Sequence, residues 1–347
     1  MKTPALIMLP VLLAGCASSA PERFIRQNPV QKTILPKTVS LRNSRLEAAF
    51  APDSMGRMVS LKYRGEEILE RFERTALVGN PLFEPVNCNV CGFRDLLWGV
   101  RMTTLDLPAD LAARTETRID FSAPNYGNTP LHLYRRVKLH PDSLTVDFDL
   151  TVTNSASRPY SYNLWLNLLP RKPYAPLVPI PSGLLKIITR GNNFHPAGTC
   201  WTAAKLTRPD AVIAMTWKPE EIQPDGRFYV HGAQDFNTFE AILGKRTLSS
   251  GAKAHHAYRF LIFPSLPTLN AILEQTGIAA VNDNGKWALI FCTAETVPRR
   301  TVKLKFPRST AEIDLPEMKT GECFTMPVSG KPVSIISGNG IEHRLFF

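Results

Sequence analysis

The sequence has few residues arranged for metal or nucleotide chemistry. Its 347 residues include 7 histidines and 6 cysteines, and the histidines lack the spacing of a metal site. A zinc site would need a second ligand pair, but Cys88–Cys91 is the one CxxC pair of the sequence. The glycines make no phosphate-cradling loop, and no long basic run is interleaved with aromatic residues. We therefore expect no metal, no other cofactor and no nucleic-acid partner.

The first residues have the three parts of a secretory leader. Lys2 precedes the apolar run 5–13 (ALIMLPVLL), which is too short to span a bilayer, and Leu13-Ala14-Gly15-Cys16 closes the segment. That ending resembles the lipobox of bacterial lipoproteins, in which cleavage leaves an acylated cysteine, with chains such as palmitate, as the first residue. The resemblance implies a lipoprotein signal peptide over 1–15, lipidation of Cys16 and membrane attachment through this anchor. Ala17 favours the outer membrane.

Five cysteines remain once Cys16 is acylated, and an odd number leaves one thiol unpaired. An oxidising compartment favours disulfides, and Cys292 and Cys323 lie close enough in sequence to pair. Cys88 and Cys91 could form a local disulfide, or one of them could pair with Cys200. The net charge of +11 would attract acidic partners such as uronic-acid glycans, or it is simply scattered over the surface.

The pattern along the chain predicts an all-β fold. Polar residues over 16–37 indicate a flexible tether, and alternating stretches between turn signals then predict strands, for example over 58–63, 131–139, 144–152 and 258–263. The 29 prolines and 20 glycines are too many for a helical protein. Leu266–Thr276 is the best helix candidate. We expect one large β domain over 38–265 and a small C-terminal β module over 266–347.

Three segments in order resemble the galactose mutarotase-like superfamily, which includes the aldose 1-epimerases. Residues 46–69 look like that family's opening hairpin, and 131–159, with Thr153-Asn154, look like the strand end before its central ligand-facing strand. Phe239-Glu240, the turn 248–251 and the strand 258–263 match its late pattern. The resemblance implies a large two-sheet antiparallel supersandwich, followed here by the small C-terminal sandwich.

In active relatives a glutamate is the general base and a histidine is the general acid. Glu240 stands where that glutamate falls and is the candidate catalytic residue. The histidine should lie in the strand after Asn154, where this sequence has Trp165 and Asn167 instead. Neither side chain is a general acid near neutral pH, so the resemblance implies recognition of a sugar more strongly than epimerisation.

Sugar sites combine aromatic rings with planar polar groups. The segment 92–99 resembles the family's loop beside the pocket, and it offers Arg94, Asp95 and Trp98 for binding a carboxylate or hydroxyls and for stacking. The remaining binding candidates are Trp165, Asn167 and His195. For each of them a purely structural role stays open: Trp98 and Trp165 in the core, Arg94 paired with Asp95, and His195 in a loop.

Three functions follow from these observations. The first is a lipid-anchored envelope protein whose mutarotase-like domain binds carbohydrate, with an acidic carbohydrate as one option in view of the basic charge. The second is a sugar-active enzyme of the epimerase type, which requires an acid that converges on Glu240. The third is a structural lipoprotein that uses the fold as a scaffold, which requires an apolar face without a polar site.

Overall fold

The computed structural model describes residues 31–33, 37–70, 75–77, 92–98, 108–124, 129–232 and 237–347. The predicted signal peptide, Cys16, Cys88 and Cys91 lie outside these ranges. Gln31–Thr33, within the predicted tether, forms strand β1 and pairs with β6 (Thr75–Leu77) in a separate two-stranded sheet.

Two nine-stranded antiparallel sheets form the large domain. Sheet II contains β2 (Val39–Arg42), β3 (Leu46–Ala51), β4 (Arg57–Tyr63), β5 (Glu66–Glu67), β7 (Phe93–Trp98), β12 (Tyr160–Leu168), β15 (Gly191–Pro196), β18 (Arg227–Gly232) and β19 (Asn237–Leu248). Its order is β15-β18-β19-β12-β7-β4-β3-β2, with β5 paired to β4.

Sheet I contains β8 (Asp110–Arg114), β9 (Arg118–Ala123), β10 (Leu131–Leu139), β11 (Thr145–Asn154), β13 (Tyr174–Ile180), β14 (Gly183–Leu185), β16 (Trp201–Leu206), β17 (Ala211–Trp217) and β20 (Lys253–Pro264). Its order is β14-β13-β16-β17-β20-β11-β10-β9-β8. Short 3-10 turns occur at Pro52–Ser54 and Pro219–Glu221.

The two sheets share one core because side chains alternate across each strand. On β12 the buried set is Tyr162, Leu164, Leu166 and Leu168, as the alternating pattern predicts. Phe93 of sheet II meets Phe148 and Phe260 of sheet I edge to face, with ring centroids 5.2 and 4.6 Å apart. The all-β fold and the large two-sheet sandwich are confirmed.

The small C-terminal sandwich has two four-stranded sheets and its own core. One contains β21 (Ala271–Leu273), β22 (Thr276–Asp283), β23 (Lys286–Thr293) and β26 (Cys323–Val328); the other contains β24 (Arg300–Lys305), β25 (Thr310–Leu315), β27 (Ser334–Ile336) and β28 (Glu342–Arg344).

The predicted helix over Leu266–Thr276 is wrong. Its residues form β21 and a turn that enters β22, with Glu274 at a positive φ of 57°. The apolar side chains do not share one helix face: Leu266, Leu269 and Ile272 join the large core, whereas Leu273 joins the small one. The helical spacing arises because the apolar side chains of this segment pack into two different cores. In the described residues no helix is long and apolar enough to cross a membrane.

Candidate functional site

One row of residues crosses five strands of sheet II at the same register level. Phe194 on β15 is opposite Tyr229 on β18, which is opposite Glu240 on β19. Glu240 is opposite Asn167 on β12, and Asn167 is opposite Arg94 on β7. Directly opposed residues of a sheet share a face, so the side chains of the first four lie on the outer face of sheet II. We call all five residues, from Phe194 to Arg94, the register row.

The outer face is set by the strand alternation. The neighbours of the register row, Phe228, Ala241 and Leu166, are buried on the opposite face and pack in the core between the sheets. Because β19 is buried on both faces, Glu240 is only 5% exposed although it lies on the outer face. A carboxylate in this position needs polar partners.

Asn167 supplies one such partner, since its Nδ2 donates a hydrogen bond of 2.6 Å to Oε1 of Glu240. The rings of Trp165 and Tyr229 come from strands on either side of β19 and stack with their centroids 5.9 Å apart. Since β19 lies between these strands, the two rings meet above it, next to Glu240. Burial and the charge of Glu240 raise the pKa of Tyr229, so Tyr229 is a neutral phenol near pH 7.

An aromatic cluster continues the register row to the edge of the sheet. The rings of Phe194 and Tyr229 lie 4.8 Å apart, and the guanidinium of Arg227 lies 5.4 Å from the Phe194 ring centre. Oδ1 of Asn192 accepts hydrogen bonds of 2.7 Å from the Tyr229 hydroxyl and from Nδ1 of His231. Phe194 is 52% exposed, so the cluster ends in an accessible ring beside a cation.

The sequence analysis missed this cluster. The pattern of 227–231 (RFYVH) alternates buried Phe228 and Val230 with Arg227, Tyr229 and His231, which is the signature of a strand with one outward face. His231, like Arg227 and Tyr229, lies on β18. Burial lowers the pKa of His231, so its neutral form predominates near pH 7.

Asp95, predicted to bind substrate, lies on the inner face of β7. Nε of Arg135 donates to its Oδ2 at 2.7 Å, and Nη2 of Arg135 and the Tyr258 hydroxyl also donate to the carboxylate. Arg135 and Tyr258 belong to sheet I, so this buried ion pair links the two sheets. Asp95 therefore lies between the two sheets and not on the outer face of sheet II.

His195 also lies on the side away from Glu240. It is opposite Phe228, whose side chain is buried between the sheets, and its neighbour Phe194 takes the outward position. Trp165 and Asn167 are on the outer face, the same face as Glu240. Arg94 and Trp98 lie on β7 opposite Asn167 and Asn163, but their side chains are outside the described part of the chain.

The described histidines provide no acid directly opposite Glu240. In the register, Tyr229 occupies that position, and its hydroxyl is directed to Asn192 on β15, away from β19. Another histidine, His256, is buried between the sheets, where Nε2 bonds to the Tyr162 hydroxyl and Nδ1 to Glu221, each at 2.7 Å. Within the described ranges, no group of three or more His, Cys, Asp or Glu residues could hold a metal ion.

No protein-family model matches this sequence, and no curated protein matches it either. Solved structures do match. A protein of Synechocystis sp. PCC 6803 is 11% identical, with 66% of this chain and 96% of that chain covered and a TM-score of 0.50. A TPR-domain containing protein from Parabacteroides distasonis is 14% identical with a TM-score of 0.51, covering 66% of this chain and 47% of that longer one.

A galactose mutarotase-like protein from Lactobacillus casei is 12% identical, covers 65% of this chain and 100% of that chain, and has a TM-score of 0.49. At these identities the similarity concerns the fold alone. The solved structures with TM-scores of 0.50 and 0.51 share the fold of this chain, and the galactose mutarotase-like superfamily stays a prediction from the sequence resemblance.

Proposed function

We propose that the outer face of sheet II binds carbohydrate without transforming it. The observation that carries this proposal is the register row, which combines the hydrogen-bonded pair Asn167–Glu240 with stacked rings that end at exposed Phe194. Amide and carboxylate groups bind sugar hydroxyls, and an aromatic ring covers the apolar C–H face of a sugar. A scaffold without a binding role has no need for an exposed ring in the same row as this buried polar pair.

Arg227 supports an acidic ligand. Its guanidinium stands over the Phe194 ring and Arg227 is exposed, so a sugar stacked at that ring would bring a carboxylate substituent within reach of this cation. The net charge of +11 favours the same class of ligand at long range. The ligand class is therefore a glycan that contains uronic acid, with neutral glycans expected to bind more weakly.

Binding is favoured over epimerisation by the direction of the Tyr229 hydroxyl. An epimerase needs an acid and a base on opposite sides of the sugar, with the acid able to reach the ring oxygen. The Tyr229 hydroxyl donates a hydrogen bond to Oδ1 of Asn192, and the neutral His231 donates a hydrogen bond to the same oxygen. Polarimetry on a sugar that binds tests this point, because accelerated mutarotation would assign the domain to the enzymes.

The test is calorimetric titration of the chain with neutral and uronic-acid oligosaccharides. Phe194→Ala should weaken binding of both classes about tenfold, which corresponds to the loss of one stacking contact. Arg227→Gln should weaken only the acidic class. The control is Ile341→Ala, because Ile341 is 54% exposed, like Phe194, but lies in the small sandwich. Absence of binding across the panel by folded protein would contradict the proposal.

We further propose that the protein is anchored to the outer membrane through Cys16. The support is the Leu13-Ala14-Gly15-Cys16 segment after an apolar run and Ala17 at the following position. Cys16→Ser should move the protein from the detergent-soluble membrane fraction to the soluble fraction, and mass spectrometry of the mature chain should lose the acyl mass. A wild-type chain with an unmodified amino terminus would overturn this proposal, and the sugar proposal would be unaffected.

A further inference from the structure

Two cysteines face each other across neighbouring strands of the small sandwich. Cys292 on β23 is the register partner of Cys323 on β26. The next residue, Thr293, donates its amide hydrogen to Glu322 at 3.2 Å and accepts from Gly321 at 2.8 Å. The backbone of Thr293 is thus hydrogen-bonded to β26. Because hydrogen-bonded and non-hydrogen-bonded pairs alternate along an antiparallel ladder, Cys292 and Cys323 form a non-hydrogen-bonded pair. Cα atoms of such pairs are about 4.5 Å apart, which a disulfide can span.

The two sulfur atoms converge on one acceptor. Sγ of Cys292 and Sγ of Cys323 lie 3.3 and 3.4 Å from the carbonyl oxygen of Pro264. Pro264 is the last residue of β20, so this contact lies where the large sandwich passes into the small one. Cys200, the third cysteine that the structure describes, does not take part in this contact.

The two thiols differ in access and acidity. Cys292 is buried, whereas Cys323 is exposed. The hydrogen bond from Cys292 lowers the pKa of Cys323, and the same bond together with burial raises the pKa of Cys292. The exposed thiol therefore reacts first as a thiolate, and the buried thiol is placed to react second.

We propose that Cys292 and Cys323 form a redox-active pair that closes into a cross-strand disulfide by exchange with an external disulfide. The Cys323 thiolate attacks one sulfur of the external disulfide, whose S–S bond breaks and releases one thiolate. Cys292 then loses its proton and attacks the Cys323 sulfur, releasing the second thiolate. Two protein thiols are oxidised to one disulfide, and the external disulfide is reduced to two thiols.

The expected consequence is a more stable small sandwich. The bond closes the loop 292–323, which carries β24 and β25, and it fixes the edge strand β26 to β23. Closing such a loop removes conformational freedom mainly from the unfolded chain. Oxidation should therefore raise Tm, by about 5 °C for a chain of this size.

The experiment is peptide mapping of the full chain after treatment with oxidised glutathione, alkylation of the remaining thiols and digestion with trypsin without reductant. The expected product is peptide 287–299 joined to peptide 320–344, since trypsin does not cut before Pro332. The joined peptide should persist in Cys200→Ser and disappear in Cys292→Ser, in which Cys323 should retain glutathione. The rise in Tm should be absent in Cys323→Ser.

Three results would overturn the proposal. The first is recovery of both peptides in alkylated form from oxidised wild-type protein. The second is linkage of either peptide to the one that contains Cys200. The third is equal rates of alkylation of Cys292 and Cys323 in the native reduced chain, which would contradict the assigned order of attack. None of these measurements depends on the sugar site.

Discussion

The buried pair Asp95–Arg135 decides between a binding and a structural role for Asp95. In Asp95→Asn the guanidinium of Arg135 loses its counter-charge while it stays between the sheets, with 5% of its side chain exposed. Breaking a buried pair by removing one partner costs about 3–5 kcal/mol. For a chain of this size, we expect Tm to fall by roughly 4–7 °C. Affinity for an oligosaccharide bound on the outer face should change less than about twofold.

A double-mutant cycle separates the pair from its surroundings. Asp95→Leu with Arg135→Met replaces the ion pair by apolar side chains and leaves no unpaired charge between the sheets. The double variant should lose about 2–3 kcal/mol less of the free energy of unfolding than the two single variants lose in total. Tyr258 loses its acceptor in this variant, so recovery is expected to be incomplete.

The measurements are thermal and urea unfolding for stability and calorimetric titration for affinity. The control is Asp314→Asn, because Asp314 pairs with Arg299 on the exposed surface of the small sandwich and its loss should hardly change Tm. The reasoning would be refuted by an Asp95→Asn variant that keeps its Tm and loses sugar binding. That result would return Asp95 to the ligand side of the sheet.

Two further predictions concern stability. The pKa of Glu221 lies below 4.5 because, although burial raises it, the hydrogen bond from His256 and the charges of His256 and Arg246 lower it more strongly. A carboxylate with a depressed pKa stabilises the fold above pH 4.5, and this stabilisation is lost as the pH falls further. In urea unfolding from pH 7 to 3, the free energy of unfolding should therefore fall more steeply for the wild type than for Glu221→Gln. Gly56 has a φ of +64°, and a Cβ there would lie 2.6 Å from the Phe121 ring, so Gly56→Ala should cost about 2–5 kcal/mol in the same assay. The control Gly330→Ala should change little, because a Cβ at Gly330 would meet no atom within 4 Å.

The fold could be predicted from the sequence because its strands alternate regularly. Over 131–139 every second residue is buried, and the one charged member of that set, Arg135, is neutralised by Asp95. The segment 266–276 misled the prediction because its apolar residues have helical spacing. That spacing arises from two separate cores, and only the position of the small sandwich reveals it.

The site could be predicted only in part, because membership of a face depends on register. Asp95 and His195 have the right chemistry, yet each lies one residue from a member of the register row, Arg94 and Phe194. In a strand a shift of one residue reverses the face, and neither local composition nor motif spacing determines which of two neighbours points outward. Glu240 and Asn167 belong to facing strands about 70 residues apart, and the hydrogen bond between them exists only because β12 and β19 pair in this register. The sequence resemblance therefore predicted the two-sheet sandwich and named Glu240 as a candidate, whereas the aromatic residues beside Glu240 follow from strand pairing.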